Sequence, residues 1–139
     1  MSYDSDRIAF YTEFSTQWGS TTPIIFDMVQ DDDLVTKGSS PWVNCMIEHF
    51  DTQQKSLGTS SVMYQTLGLF NVDIYDLHIN GYADILRYAD TIQTMFIGKH
   101  LDESKILVNR VSIMHREPYM QWISKRVSIH FSSILYIDR

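Results

Sequence analysis

The sequence predicts an α+β domain: an antiparallel or mixed β-sheet with two amphipathic helices packed on one face, in the order α-β-β-β-α-β-β. Three observations carry this reading. Residues 5–18 and 80–97 repeat apolar side chains at spacings of three and four, the signature of a helix with one buried face. The segments between and after them alternate with the two-residue period of strands. No linker, internal repeat or low-complexity stretch divides the 139 residues, a length that suits one domain with an ordinary core.

In the first helix the predicted stripe is Ile8, Tyr11, Phe14 and Trp18, with Phe10 flanking it. Asp4 or Ser5 caps its start, Asp6 suits the positive end of the helix dipole, and Gly19 ends it in a left-handed turn. Residues 22–27 open at Pro23 and read as a brief edge strand. Residues 28–40 read as a loop, because Asp31-Asp32-Asp33 is too charged for a core and Lys37-Gly-Ser-Ser is turn chemistry.

Residues 41–50 alternate, with Val43, Cys45 and Ile47 on one face and Trp42, Asn44, Met46, Glu48 and Phe50 on the other. The polar run 51–60 reads as a connection, longer than a tight hairpin needs. Residues 61–75 read as a long strand with Tyr64, Phe70, Val72 and Ile74 on one side and Met63, Leu67, Leu69 and Tyr75 on the other; Gly68 in its middle predicts a bulge or a close backbone approach.

The second helix has the stripe Tyr82, Ile85, Leu86, Ala89, Ile92 and Phe96, with Asn80 as cap and Gly98 as stop. Residues 104–114 and 121–137 then read as two strands joined around Pro118. The last has Ile123, Val127, Ile129, Phe131, Leu135 and Ile137 on one face. Ser124, Arg126, Ser128, His130 and Ser132 lie on the other, which is wet or interfacial.

Strands apolar on both sides need cover on both, and two helices cover one face only. The other face meets either a further layer of this chain or a neighbouring subunit, and the reading favours the subunit. The candidate interface residues are Trp42, Met46, Phe50, Met63, Leu67, Leu69, Arg126 and His130. An aromatic share of 13% fits an interface, where Tyr, Trp and Phe are enriched.

The composition is that of a soluble globular chain, 44% hydrophobic and 20% charged. A net charge of −6 with eleven scattered Lys and Arg argues against a sequence-independent grip on nucleic acid. No apolar run is long enough to span a bilayer, and the N-terminus lacks the regions of a signal peptide. Cys45, the single cysteine, leaves no intramolecular disulfide or cysteine-rich metal site, and the expectation is a cytosolic life.

Chemistry-bearing patterns are sparse. The six glycines form no phosphate-binding loop. His49, His78, His100, His115 and His130 show no ligand spacing and read as surface or locally bonded residues. The three consecutive acids lack the alternation and glycine of a calcium loop and read as a solvated tip. Asp73 and Asp76 read as strand-end carboxylates rather than an acid/base pair, and Cys45 as a small hydrophobe. The expectation is a protein that is not an enzyme, with no cofactor and no catalytic or metal residues.

The element order carries a family resemblance over roughly residues 5–137. An N-terminal helix is followed by a Pro-Ile-Ile-Phe strand, an acidic loop, and a strand opening Pro41-Trp42-Val43. After a polar loop with Leu57-Gly58 comes the strand Leu69-Phe70-Asn71-Val72-Asp73-Ile74-Tyr75, then the helix Gly81-Tyr82-Ala83-Asp84-Ile85-Leu86 and two closing strands. This resembles the tail terminator (tail-completion) proteins of long-tailed bacteriophages. The final strand departs from it in being longer and more serine-rich.

The resemblance implies a virion protein: a homo-hexameric ring that caps the tail tube, stops its polymerisation and joins the head completion or connector protein. Genome DNA would pass through the lumen without specific binding, and no membrane is involved. The loops 27–40 and 51–60, with Asp31, Asp32, Asp33, Lys37, Gln53, Gln54 and Lys55, become candidates for contact with tube, connector or lumen. The location implied is the head–tail junction of the virion, and the host cytoplasm during assembly. The alternatives are a connector or tube subunit of the same virion, or a small ligand-binding α+β domain with a pocket gathering His49 or His130 with Asp73.

Overall fold

The structure, a computed structural model, describes residues 3–27, 41–57, 61–102 and 105–138. Helix α1 (Tyr3–Trp18) leads into β1 (Ile24–Phe26), β2 (Trp42–Leu57) and β3 (Ser61–Leu77). A 3-10 turn, His78–Asn80, precedes α2 (Ala83–Phe96), and β4 (His100–Leu101), β5 (Ile106–Tyr119) and β6 (Trp122–Asp138) follow.

This corrects the predicted class and order. Three strands rather than two follow α2, strands make up most of the described residues, and the sheet is a six-stranded mixed half-barrel ordered β1-β2-β3-β6-β5-β4. Only β1 on β2 is parallel; every other neighbouring pair is antiparallel. Strand β4 is two residues long and paired by Leu101 to Ile106, too short to show any periodicity in sequence.

Two further corrections enlarge the sheet. The polar run read as a connection is strand through Leu57: Thr52 pairs with Thr66, Gln53 with Gln65 and Gln54 with Tyr64. Gln53, Gln54 and Lys55 therefore sit in an extended hairpin arm and not in a loop, all three exposed. Strand β5 also continues through Pro118 to Tyr119, with a register shift between Arg116 and Tyr119, so the turn falls at Met120, whose φ is 53°. The acidic loop, with Asp31, Asp32, Asp33 and Lys37, lies outside the described residues.

Both helices cover one face of the sheet. Phe10 of α1 stacks on Phe70 (5.0 Å between ring centroids) and meets Phe131 at 4.6 Å, while Phe96 of α2 meets the same Phe70 at 5.6 Å. Around them Val43, Cys45, Val72, Ile74, Val127 and Ile129 complete the core. The face that α1 buries holds Tyr11, Phe14 and Trp18 of the predicted stripe with Phe10 beside them, and departs from it at Ile8. Asp6, Phe10, Tyr11, Phe14 and Trp18 are buried, whereas Ile8 is 52% exposed. In α2 it is Met95 rather than Leu86 that joins Ile85, Ala89, Ile92 and Phe96 inside.

The helix stops are of the expected kind. Gly19 and Gly98 adopt φ of 60° and 70°, a region open to glycine at little cost. Asn80 ends the 3-10 turn instead of capping α2, whose cap position is Tyr82.

Gly68 satisfies both expectations attached to it. The register shifts opposite it, between His49 and Asp51, and a Cβ at Gly68 would lie 2.6 Å from the Glu48 carbonyl oxygen and 2.6 Å from Phe131 Cζ. The ring of Phe131 thus occupies the place of a side chain that glycine lacks.

Candidate interface on the helix-free face

Alternation places Trp42, Asn44, Met46 and Glu48 of β2 on the face away from the helices. With them stand Leu69, Asn71, Asp73 and Tyr75 of β3 and Ser124, Arg126, Ser128 and His130 of β6. Between Leu69 and Tyr75 this face is polar. Expecting a continuous apolar second side on β3 joined Leu67 and Leu69 to Tyr75 across Asn71 and Asp73, which interrupt it.

The polar stretch is closed by its own hydrogen bonds, as buried polar groups require. Ser128 Oγ donates to Asn71 Oδ1 at 2.7 Å, both side chains being buried. Arg126 grips the Asp73 carboxylate through Nε at 2.7 Å and Nη2 at 3.1 Å. From β5, Arg116 Nη1 donates to Asp73 Oδ2 at 2.8 Å and to the Tyr75 hydroxyl at 2.7 Å. Asp73 is 2% exposed, so one buried carboxylate holds two guanidiniums at its surface side. The hydrogen bonds to it, and then its charge, raise the pKa of Arg126, and burial raises that of the Tyr75 hydroxyl. Both groups keep their protons throughout the physiological range.

Next to this cluster the aromatic rings close up. Trp42 stacks on Tyr75 at 4.2 Å and meets Trp122 edge-on at 5.8 Å, with Ile25, Leu77 and Tyr119 packed around them. Trp42 Nε1 has no hydrogen-bond partner among the described residues. A cleft of about 360 Å³ opens between this cluster and the end of β5, walled by Tyr75, Arg116, Tyr119, Trp122 and Arg126.

The residues predicted for an interface therefore have different surroundings. Phe50 (60% exposed) and Leu67 (42%) present apolar surface, and Met46, Met63 and Leu69 are half-buried. Trp42 is inside the aromatic cluster, Arg126 is bound to Asp73, and His130 shares a hydrogen bond with Ser112 Oγ at 3.1 Å. Burial, then the nearby Arg110 charge, lowers the His130 pKa. Arg116, Tyr75 and Trp122 were not singled out. The available signal was register, since Asp73 and Arg126 both fall on the outward phase of their strands.

The histidine–aspartate grouping that marks the ligand-binding alternative does not form. His49 lies on the helix side, where its Nε2 is 3.0 Å from Asp6 Oδ2, while His130 and Asp73 are on the other face and bound to separate partners. Asp76 is on the helix side too, accepting from the Leu77 amide and from Asn80 Nδ2, both at 2.8 Å. Cys45 is fully buried, and burial pushes its thiol pKa well up. Among the described residues no three His, Cys, Asp or Glu side chains gather as a metal site requires, and no helix is long and apolar enough to cross a membrane.

The sheet has two long outer strands. Beyond Cys45, where β1 stops, no strand among the described residues lies beside β2; beyond Leu107, where β4 stops, none lies beside β5. Exposed apolar side chains mark both borders, Phe50 on β2 and Ile113 (49%) and Met114 (48%) on β5.

No family model matches the chain. No curated protein matches it in sequence. A solved structure with 16% identity superposes at a TM-score of 0.62, covering 100% of this chain and 96% of its own, and at that identity the likeness shows the fold alone.

Proposed function

We propose that the protein is a structural subunit of a long-tailed phage, a tail terminator that closes into a hexameric ring on the tail tube. The ring stops tube polymerisation and receives the head completion or connector protein. The observation that carries this reading is one sheet that, among the described residues, is open along an outer strand on each side. Such a subunit offers two different surfaces to its neighbours, and a heterologous contact repeated by rotation closes a ring. The net charge of −6 suits a lumen that lets DNA pass without holding it.

Native mass spectrometry of the purified chain, alone and with isolated tail tubes, tests it. A sixfold species, or a ring at tube ends in electron micrographs, is the expected result. A chain that stays monomeric at high concentration and leaves tube ends bare overturns it. The same open borders favour a second reading, a tube or connector subunit, and extended tubes grown from this protein alone would select it.

A further inference from the structure

We propose that the joint between copies is a strand ladder, the open stretch of β2 in one copy pairing antiparallel with the open stretch of β5 in the next. This rests on the ring reading in taking the partner to be a second copy of the chain.

The topology sets the polarity. Strand β2 is antiparallel to β3, β3 to β6 and β6 to β5, so β2 and β5 run in opposite directions. Rotation about an axis near the strand direction preserves that direction, and a neighbour's β5 arrives beside β2 antiparallel. An open edge is a row of unpaired amide and carbonyl groups, which are strongly driven to find partners.

The two short strands shape the fit. Among the described residues β1 occupies the β2 border at Val43, Asn44 and Cys45, and β4 occupies the β5 border at Ile106 and Leu107, with the Val108 amide bonded to the Lys99 carbonyl. In the sheet these lie at opposite ends of the molecule, since Cys45 is linked through Val72 and Val127 to Ile113, and Leu107 through Ser132 and Leu67 to Asp51. A neighbour displaced along the strands, as strand tilt in a closed ring demands, brings the two open stretches together. β1 and β4 are then left at the two ends of the shared ladder, where they do not collide.

Charge selects the partner. The open part of β2 carries Glu48, Asp51 and Lys55, a net negative border; on β5, where Arg116 is engaged with Asp73 and Glu117 stands at the far end, Arg110 is the cation left to meet it. Glu48, Asp51 and Arg110 are exposed, and apolar Phe50 stands on the first border with Ile113 and Met114 on the second. Arg110 thus attracts a neighbour's Glu48 and Asp51, while two β2 borders repel each other, which favours the head-to-tail joint over a twofold one between β2 strands.

Charge reversal tests the pairing. Glu48→Arg with Asp51→Arg makes a chain with two basic borders; Arg110→Glu makes one with two acidic borders. The changed side chains are exposed, so each variant should keep the wild-type thermal unfolding. Each alone should assemble at least about tenfold more weakly than wild type, and an equimolar mixture should assemble again by alternation. In hydrogen exchange the assembled wild type should gain protection along 46–55 and 109–117. A wild-type hexamer whose variants assemble unchanged, or whose mixture does not recover, overturns the strand joint and leaves the ring reading standing. Open filaments or dimers that show the reversal and recovery support the joint and overturn the ring. A wild type that never assembles, alone or on tubes, overturns both.

Discussion

Asp73 and Arg126 face each other in register across β3 and β6, and the guanidinium holds both carboxylate oxygens, at 2.7 and 3.1 Å. Arg116 reaches the same carboxylate from the next strand at 2.8 Å. Removing one partner of a buried pair leaves the others uncompensated, at roughly 3–5 kcal/mol in a closed interior. Here the two arginines stay 34% and 23% exposed, so water relieves part of the loss. Asp73→Ala should therefore cost about 2–3 kcal/mol in urea unfolding. Arg116→Met should cost less, because Asp73 keeps its bidentate partner; equal costs for the two variants would show that Arg126 alone does not hold the carboxylate.

Much of this arrangement was open to sequence reading and part was not, for physical reasons. Gly19 and Gly98 announce helix ends because a positive φ is a local requirement, and the β1 edge strand follows from Pro23 in the same way. The hairpin arm beyond Phe50 was hidden because Asp51–Lys55 are exposed throughout, leaving no apolar alternation to mark a strand. Pairing with β3 there overrides a pattern that reads as loop. The helix-free face was mistaken for apolar because residue type at 67, 69 and 75 says nothing of the hydrogen bonds at 71 and 73. Arg116 could not be connected to Asp73 until β5 was placed beside β6.

The place taken by Phe131 at Gly68 makes a sharp local test. Gly68→Ala puts a methyl group 2.6 Å from both a backbone carbonyl oxygen and the ring, and neither has a flexible end to move. The substitution should destabilise by about 2 kcal/mol, as overpacking does. Gly19→Ala meets no atom within 4 Å and bears only the strain of its φ of 60°, about 1 kcal/mol. Thermal unfolding of the two variants should therefore rank Gly68→Ala clearly below Gly19→Ala; the reverse order would mean the strand gives way easily.

Ile8, the one member of the predicted α1 stripe left outside, gives a second ranking. Ile8 lies roughly 120° around the helix from the centre of the buried arc at 100° per residue, and it is 52% exposed. Ile8→Gln should change stability by no more than about 0.5 kcal/mol. Phe10, fully buried among Phe70, Phe96 and Phe131, should cost about 3–5 kcal/mol when cut to alanine. Denaturant titration distinguishes these outcomes directly, and a large loss at Ile8 would place it inside with Tyr11, Phe14 and Trp18.

Asp6 ties the same helix to the sheet and should make stability depend on pH. Its Oδ2 accepts from Ser133 Oγ at 2.9 Å and lies 3.0 Å from His49 Nε2, while Oδ1 has no partner among the described residues. Burial raises the carboxyl pKa; the hydrogen bonds from Ser133 and His49 pull it down without cancelling that rise. A raised pKa in the folded state means that the protonated form is the one folding favours. The favourable contribution is complete below the ordinary value of 3.8 and is lost as pH climbs through the raised value. At neutral pH the ionised carboxylate is therefore a burden that Asp6→Asn removes, while an amide oxygen at the Oδ2 position still accepts from Ser133 Oγ and can accept from a His49 Nε2–H. The variant should gain on wild type as pH rises from the acid side toward neutrality, and its stability should vary less across that window. Urea unfolding at a series of pH values gives the difference curve, and a wild-type advantage that grows toward neutral pH would show that the hydrogen bonds to the charged form outweigh its desolvation.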